Sequence, residues 1–275
     1  MFDSGLGGLS VARRVIERLP NERILYFADT AHVPYGERPL NEIRDFALDI
    51  IGFLIDRGAK AVVMACNMSS AVALEAACHA FPDTPIIGVI EPGAKAAVGV
   101  ANGSPIGVLA TTGTIRSEAY VRAVARLDAA ARVLGQACPR FVPLIESGLA
   151  ESEQAEEAAR TYVAPLLAGG CGAIILGCTH YPFVRRAIQA AVGDGVTIVD
   201  PAEETAGVLA KTLLERGLLS ARLESPHEFF SSGDSSGFAT LGSAFLGKTI
   251  DRVDQVNWEK LTAISCQPSA IGTEG

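Results

Sequence analysis

Two segments of the chain say nearly the same thing. "AVVMACN" (61–67) and "AIILGCT" (173–179) each run alanine, three long or branched apolar residues, a small residue, a cysteine and a hydrogen-bonding side chain. A short, uninterrupted apolar run reads as a strand buried on both faces, and such strands belong to parallel sheets covered by helices. Segments of helical period follow both runs. Cys66 and Cys178 stand 112 residues apart, about one domain length. The repeat predicts two duplicated halves, each presenting one thiol. Ligands of open α/β sheets bind beyond the carboxyl ends of the strands, so two facing halves would place both sulfurs at one cleft.

The rest of the chain keeps the alternation. Leu9, Ala12, Val15, Ile16 and Leu19 share one helical face, opposite Arg13, Arg14, Glu17 and Arg18. Strand 23–29 follows, then a polar loop and a helix over 41–57, with Asn41 expected as N-cap and Gly58 as the residue past its end. Strand 60–65, helix 68–80 and strand 85–90 complete the first series. The second reads strand 105–110, helix 115–132, strand 141–145, helix 151–167, strand 173–177, helix 183–192, strand 196–200 and helix 202–216. The fold class is α/β, with mostly parallel sheets flanked by helices. Beyond about residue 260 the chain reads as irregular.

Composition removes several classes of function. A net charge of −8 without a lysine or arginine cluster argues against a nucleic-acid partner. No apolar run reaches the length of a membrane span, and no basic-then-apolar signal segment is present, so a cytoplasmic address is expected. The six cysteines form no CxxC pair and no His/Cys cluster of zinc spacing, so neither a structural metal nor a disulfide framework is expected. Cys78, Cys138, Cys171 and Cys266 read as structural or incidental, and His32, His79 and His227 as surface or loop residues. "GLGG" misses the G-x-G-x-x-G spacing, with Ser10 where the third glycine belongs, and "ATTGT" lacks a glycine-lysine pair. A cofactor is therefore not expected.

Two opposed thiols suggest their own chemistry. A cysteine at a strand-to-helix turn lies near the positive end of the helix dipole, which favours thiolate. A thiolate on one side of a carbon acid and a thiol on the other make a base–acid pair that inverts the stereocentre. A cysteine hydrolase, with His180 as base, and a catalytically silent binding protein are the alternatives from other classes.

"FDSGLGGLSV", "DTAHVPYGERP", "ACNMSSA", "ATTGTIRSEAY", "FVPLIESG", "LGCTHYPF" and, near the end, "FFSSGD" occur in one order along the chain. Together they resemble the glutamate racemases of the aspartate/glutamate racemase superfamily. The resemblance implies pyridoxal-independent interconversion of L- and D-glutamate, supplying D-glutamate for peptidoglycan. It implies two pseudo-symmetric lobes with the active site between them: 1–92 with 203–260 carrying Cys66, and 93–202 carrying Cys178, followed by the tail 261–275. It further implies Cys66 as the base toward D-glutamate and Cys178 toward L-glutamate. Asp3 would assist on the Cys66 side, and Glu146 and His180 on the Cys178 side. Ser4, Pro34, Tyr35, Gly36, Asn67, Thr111, Thr114 and Thr179 would line the substrate pocket, the glycines after Ser4 letting the backbone approach the ligand. The family is usually dimeric, so a homodimer is expected.

Two departures stand out. Met68 occupies a position where the family usually has threonine, which keeps aspartate or another amino acid open as substrate, with Ser69 or Ser70 as stand-in hydroxyls. The chain also opens at "MFDSG", where the family has several residues of a first strand. Either the start lies upstream or the sheet is frayed beside Asp3.

Overall fold

The computed structural model describes residues 1–222, 225–235 and 237–258. Cys266 and the tail expected over 261–275 lie outside them. The strands sort into two sheets, and every pairing is parallel. The first holds β1 (Phe2–Asp3), β2 (Leu25–Ala28), β3 (Val62–Met64), β4 (Ile86–Gly88), β9 (Glu228–Ser231) and β10 (Asp254–Gln255), in the order β10-β9-β2-β1-β3-β4. The second holds β5 (Ile106–Ala110), β6 (Val133–Ala137), β7 (Ala173–Gly177) and β8 (Thr197–Val199), in the order β6-β5-β7-β8. The repeated cysteine segments fall at the ends of β3 and β7, interior strands of their respective sheets.

Helices cover the sheets because the interior strands are apolar on both faces. On one side of the first sheet, α2 (Leu40–Asp56) and α3 (Asn67–Ala80) bring Ile43, Ile50, Ile51, Leu54, Ala73 and Ala77 toward the strands. Most of these pack with Phe2, Phe27 and Met64. Phe2, Phe27, Ile50 and Leu54 are wholly buried, each worth about 1.5–3 kcal/mol of hydrophobic transfer. On the other side, α1 (Leu9–Arg18) and α10 (Pro201–Glu215) join a core that runs on without interruption to Ile174 and Leu176 of β7. The two sheets thus share apolar packing behind the cleft. The chain passes between them through α4 (Ile90–Ala101) and α10.

Three local expectations are corrected. Residues 141–145 are not a strand but most of α7 (Phe141–Glu146), and the strand in this region is β6. Phe141 and Ile145 are buried four residues apart, a helical stripe, and Pro143 sits within the first turn, where a missing N–H costs nothing. β6 escapes notice because it is an edge strand, half-exposed and interrupted by Gly135. The helix expected over 115–132 is instead α5 (Thr112–Arg116) and α6 (Ala119–Leu127), broken where Glu118 takes a positive φ of 53°. Asn41 is not an N-cap; α2 begins one residue earlier, behind Pro39. Gly58, with φ +83°, does sit just past the end of that helix.

β1 is short but not frayed. The Phe27 N–H donates to the Met1 carbonyl (3.0 Å), the Asp29 N–H to that of Asp3 (3.0 Å) and the Ala65 N–H to that of Phe2 (2.9 Å). The strand is tied to both neighbours up to Asp3. Among the described residues no helix is long and apolar enough to cross a membrane.

Candidate active site

The carboxyl ends of the strands converge on one cleft of about 670 Å³. β1 delivers Ser4, β2 leads into the loop carrying Pro34, Tyr35 and Gly36, and β3 delivers Cys66 and Asn67. From the second sheet, β5 delivers Thr111 and Thr114, and β7 delivers Cys178, Thr179 and His180, with Glu146 of α7 beside them. Every residue expected from the sequence to bind or catalyse borders this cleft except Asp3, which lies beneath it, 1% exposed.

The two thiols share a cavity but not a setting. Cys66 caps α3, in extended backbone (φ −66°, ψ 124°), with its sulfur 3.8 Å from the Ser4 hydroxyl. Around it pack Tyr35, Ile43 and Met68. Burial, and then the charge of Asp3, push its thiol up to about 11. The helix terminus therefore does not make Cys66 a resting thiolate: loss of hydration outweighs a dipole worth about 1 kcal/mol at most sites. Cys178 is followed not by a full helix but by the tight 3₁₀ turn 181–184, and α9 (Arg185–Val192) starts only afterwards. Its neighbour is instead a titratable pair. His180 Nδ1 lies 3.9 Å from the Cys178 sulfur, and Nε2 lies 3.0 Å from Glu146 Oε1. Burial alone would lower the imidazole pKa; the hydrogen bonds to Cys178 and Glu146, with the charges of Cys178 and Asp3, raise it instead.

Asp3 links the two settings. One carboxylate oxygen accepts from the Gly5 N–H (2.9 Å), the other from the Thr179 hydroxyl (3.3 Å). Burial raises its pKa, against His180 and these hydrogen bonds. The Ser10 hydroxyl, 2.8 Å from the carbonyls of both Gly7 and Thr179, ties the start of α1 to the Cys178 loop. The glycine run serves this junction. A Cβ on Gly7 would sit 2.3 Å from both His180 Nδ1 and Thr179 Oγ1, and one on Gly8 would sit 2.5 Å from Asp3 Cβ. Of the run, only Gly5 lines the cleft. Gly7 and Gly8 admit protein, not ligand.

Thr111 caps α5 and its hydroxyl lies 3.1 Å from that of Thr114, placing two hydroxyls together on the wall. Asn67 Oδ1 accepts from the Tyr120 hydroxyl (2.7 Å), which leaves its amide donors free of that bond. Met68 also lines the cleft, whereas Ser69 and Ser70 do not. Ser70 donates to the Met64 carbonyl and accepts from the Val89 N–H. Neither serine restores the hydroxyl that Met68 displaces from the wall.

Sequence reasoning missed two features. Cys138 borders the cleft rather than standing apart from it, although burial raises its thiol pKa far above the ordinary range. Asp29, wholly buried, accepts from the Tyr35 hydroxyl (2.5 Å), His32 Nδ1 (2.8 Å) and the Ser232 hydroxyl (2.6 Å). It anchors the loop that forms one lip of the cleft. His32 is more than a surface residue, since its ring also stacks on Phe46. Aspartate followed by a histidine three residues later was the available signal. Its partner Ser232 is too distant in sequence to reveal the cluster.

The profile of the Asp/Glu/hydantoin racemase family matches residues 7–209. The chain belongs to that family. A glutamate racemase of Geobacter metallireducens is 44% identical over 260 residues, covering 94% of this chain and 96% of the relative. Among solved structures, the glutamate racemase of Bacillus anthracis superimposes with a TM-score of 0.89 at 39% identity, covering 93% of this chain and 96% of that one. That of Francisella tularensis, solved in complex with D-glutamate, gives 0.87 at 32% identity, covering 94% and 97%. Within the family, then, the chain resembles glutamate racemases along nearly its whole length.

Proposed function

We propose that this protein racemises glutamate without a pyridoxal cofactor, with Cys66 and Cys178 as the two acid–base groups. The observation that carries the reading is the opening of both sulfurs, one from each sheet, onto a single cleft. Toward D-glutamate, the Cys66 thiolate takes the α-proton while the Cys178 thiol delivers its own to the opposite face of the planar carbanion. One C–H bond breaks and another forms, and the charge passes from one sulfur to the other. Toward L-glutamate the roles exchange. His180, in reach of Cys178 and held on its far nitrogen by Glu146, manages the proton at that sulfur. Asp3 holds Thr179 and sets the field between His180 and Cys66. Ser4, Asn67, Thr111 and Thr114 supply donors for the substrate carboxylates, Thr179 lines the wall with its hydroxyl given to Asp3, and Pro34, Tyr35 and Gly36 form the lip. This is how an acidic chain accommodates an acidic ligand.

The reading extends to two lobes exchanging near residues 93 and 203, a homodimer, a cytoplasmic address and D-glutamate destined for peptidoglycan. The decisive experiment incubates L-glutamate with purified protein in deuterated water without pyridoxal phosphate. Loss of optical rotation with deuterium at Cα is expected, and Cys66→Ala and Cys178→Ala should each abolish racemisation. A hydrolase would need one cysteine only, and a silent binding protein would leave the α-hydrogen in place. Parallel turnover on aspartate decides the substrate, since Met68 alters the wall next to Cys66.

A further inference from the structure

The resting enzyme holds a neutral Cys66, yet the proposed reaction requires it to be ionised in one direction, inside an apolar pocket next to Asp3. Something must receive that charge. The Ser4 hydroxyl is within reach at 3.8 Å, but it lines the cleft and in the proposed reaction serves the substrate carboxylates. Tyr35 packs with Cys66 and Tyr26 is near enough to feel its charge, and both are held neutral by burial. The Tyr26 hydroxyl is already committed to the Gly5 carbonyl, and that of Tyr35 to Asp29.

The remaining group is Ser69. It is wholly buried, and among the described residues its hydroxyl is the buried side-chain polar atom that lacks a hydrogen-bond partner. An unpaired buried hydroxyl ordinarily costs about 1–3 kcal/mol and calls for an explanation. Its place in the helix supplies one. Cys66 is the N-cap of α3 and Ser69 its third residue, the position whose main-chain N–H points at the capping side chain and whose own side chain can reach back to the cap. The N–H and the hydroxyl of Ser69 both favour negative charge on the Cys66 sulfur. The adjacent Ser70 cannot serve, being bonded to Met64 and Val89.

We infer that the Ser69 hydroxyl is the donor held in reserve for the Cys66 thiolate, unpaired while the sulfur carries its proton and bonded when the proton leaves. Ser69 is thus a positioning residue for the proposed reaction, acting through Cys66. The inference rests on the two-thiol reading, and the experiment separates the two. Iodoacetamide alkylation is followed at each cysteine by mass spectrometry across alkaline pH, in wild type, Ser69→Ala and Ser70→Ala, beside thermal unfolding. In Ser69→Ala, Cys66 should alkylate about ten-fold more slowly at a given pH, equivalent to one pKa unit, with Cys178 unchanged. Its melting temperature should not fall, because the lost hydroxyl bonds nothing in the resting fold. Ser70→Ala should show the reverse, a lower melting temperature with Cys66 reactivity kept. An unchanged Cys66 rate in Ser69→Ala, equal slowing of both cysteines, or loss of the fold would each overturn the assignment. Retention of racemisation by Cys66→Ala would instead overturn the two-thiol reading itself.

Discussion

Replacing Gly7 by alanine tests the junction between the start of α1 and the Cys178 loop. The new methyl would stand 2.3 Å from two polar atoms, His180 Nδ1 and Thr179 Oγ1. Normal separation is about 3.5 Å, so one partner must retreat by roughly 1 Å. Neither side chain is free to swing. His180 is 7% exposed and held at Nε2 by Glu146, and Thr179 is bonded to Asp3. Overpacking of this kind costs about 1–3 kcal/mol. A displacement of that size at a proton-transfer group costs on the order of 100-fold in rate. Gly7→Ala should therefore lower the melting temperature by several degrees and kcat/KM by about two orders of magnitude, followed by thermal unfolding and polarimetry of L-glutamate. Two controls share the chemistry but not the contact. Gly5→Ala meets only Val33, at 3.8 Å, and should fold normally; exposed Gly99→Ala in α4 meets nothing within 4 Å and should gain up to about 1 kcal/mol. Wild-type activity and stability in Gly7→Ala would show that the close approach of α1 to His180 is not real.

Three further outcomes follow from the same geometry. Glu146→Gln should lower kcat by less than about ten-fold with KM nearly unchanged, because this carboxylate only orients His180 and its side chain is 49% exposed; a KM change alone in steady-state kinetics would contradict that role. Asp29→Asn weakens three charge-assisted hydrogen bonds at a buried site and should cost roughly 2–3 kcal/mol in chemical denaturation, with KM rising as the Tyr35 lip loosens. Burial keeps the Cys66 proton in place up to about 11. The difference in ultraviolet thiolate absorbance between Cys178→Ala and the Cys66→Ala/Cys178→Ala double variant should therefore appear only as pH approaches that value, and a midpoint near the ordinary thiol value of about 8.5 would refute the desolvation account.

The parts of the fold legible in the sequence are those where pattern and burial coincide. "AVVMACN" and "AIILGCT" are interior strands with no polar face, so a continuous apolar run identifies them and their ends identify the site. β6 and α7 were illegible for the opposite reason. An edge strand tolerates Gln136 and Gly135, while a six-residue helix holding Pro143 shows too few turns to display its period. Within the site, Cys138 was missed just past the edge strand β6, while the cleft residues at the ends of the interior strands were found. Those acting across the chain were not: Asp29 needs Ser232, and the purpose of Gly7 becomes visible only once His180 is seen against it. Sequence spacing carries no trace of such meetings.

The duplicated strands invite the expectation of two equivalent stations, and the structure departs from it in a way the chemistry tolerates. One sulfur sits in an apolar pocket at the start of a fourteen-residue helix; the other sits on a tight turn beside an imidazole and a carboxylate. For the proposed reaction, substrate and product are mirror images with equal free energy in achiral water. The equilibrium constant is therefore unity, and kcat/KM must be the same in both directions however unlike the stations are. Asymmetry can enter only as compensating changes in kcat and KM. A neutral resting Cys66 is thus no obstacle. It is already the acid needed for L-glutamate, and in the other direction its ionisation is repaid when the same proton transfer is traversed backwards. Duplication needed to preserve only the placement of two thiols around one carbon, leaving each half free to manage its proton with whatever side chains lay to hand.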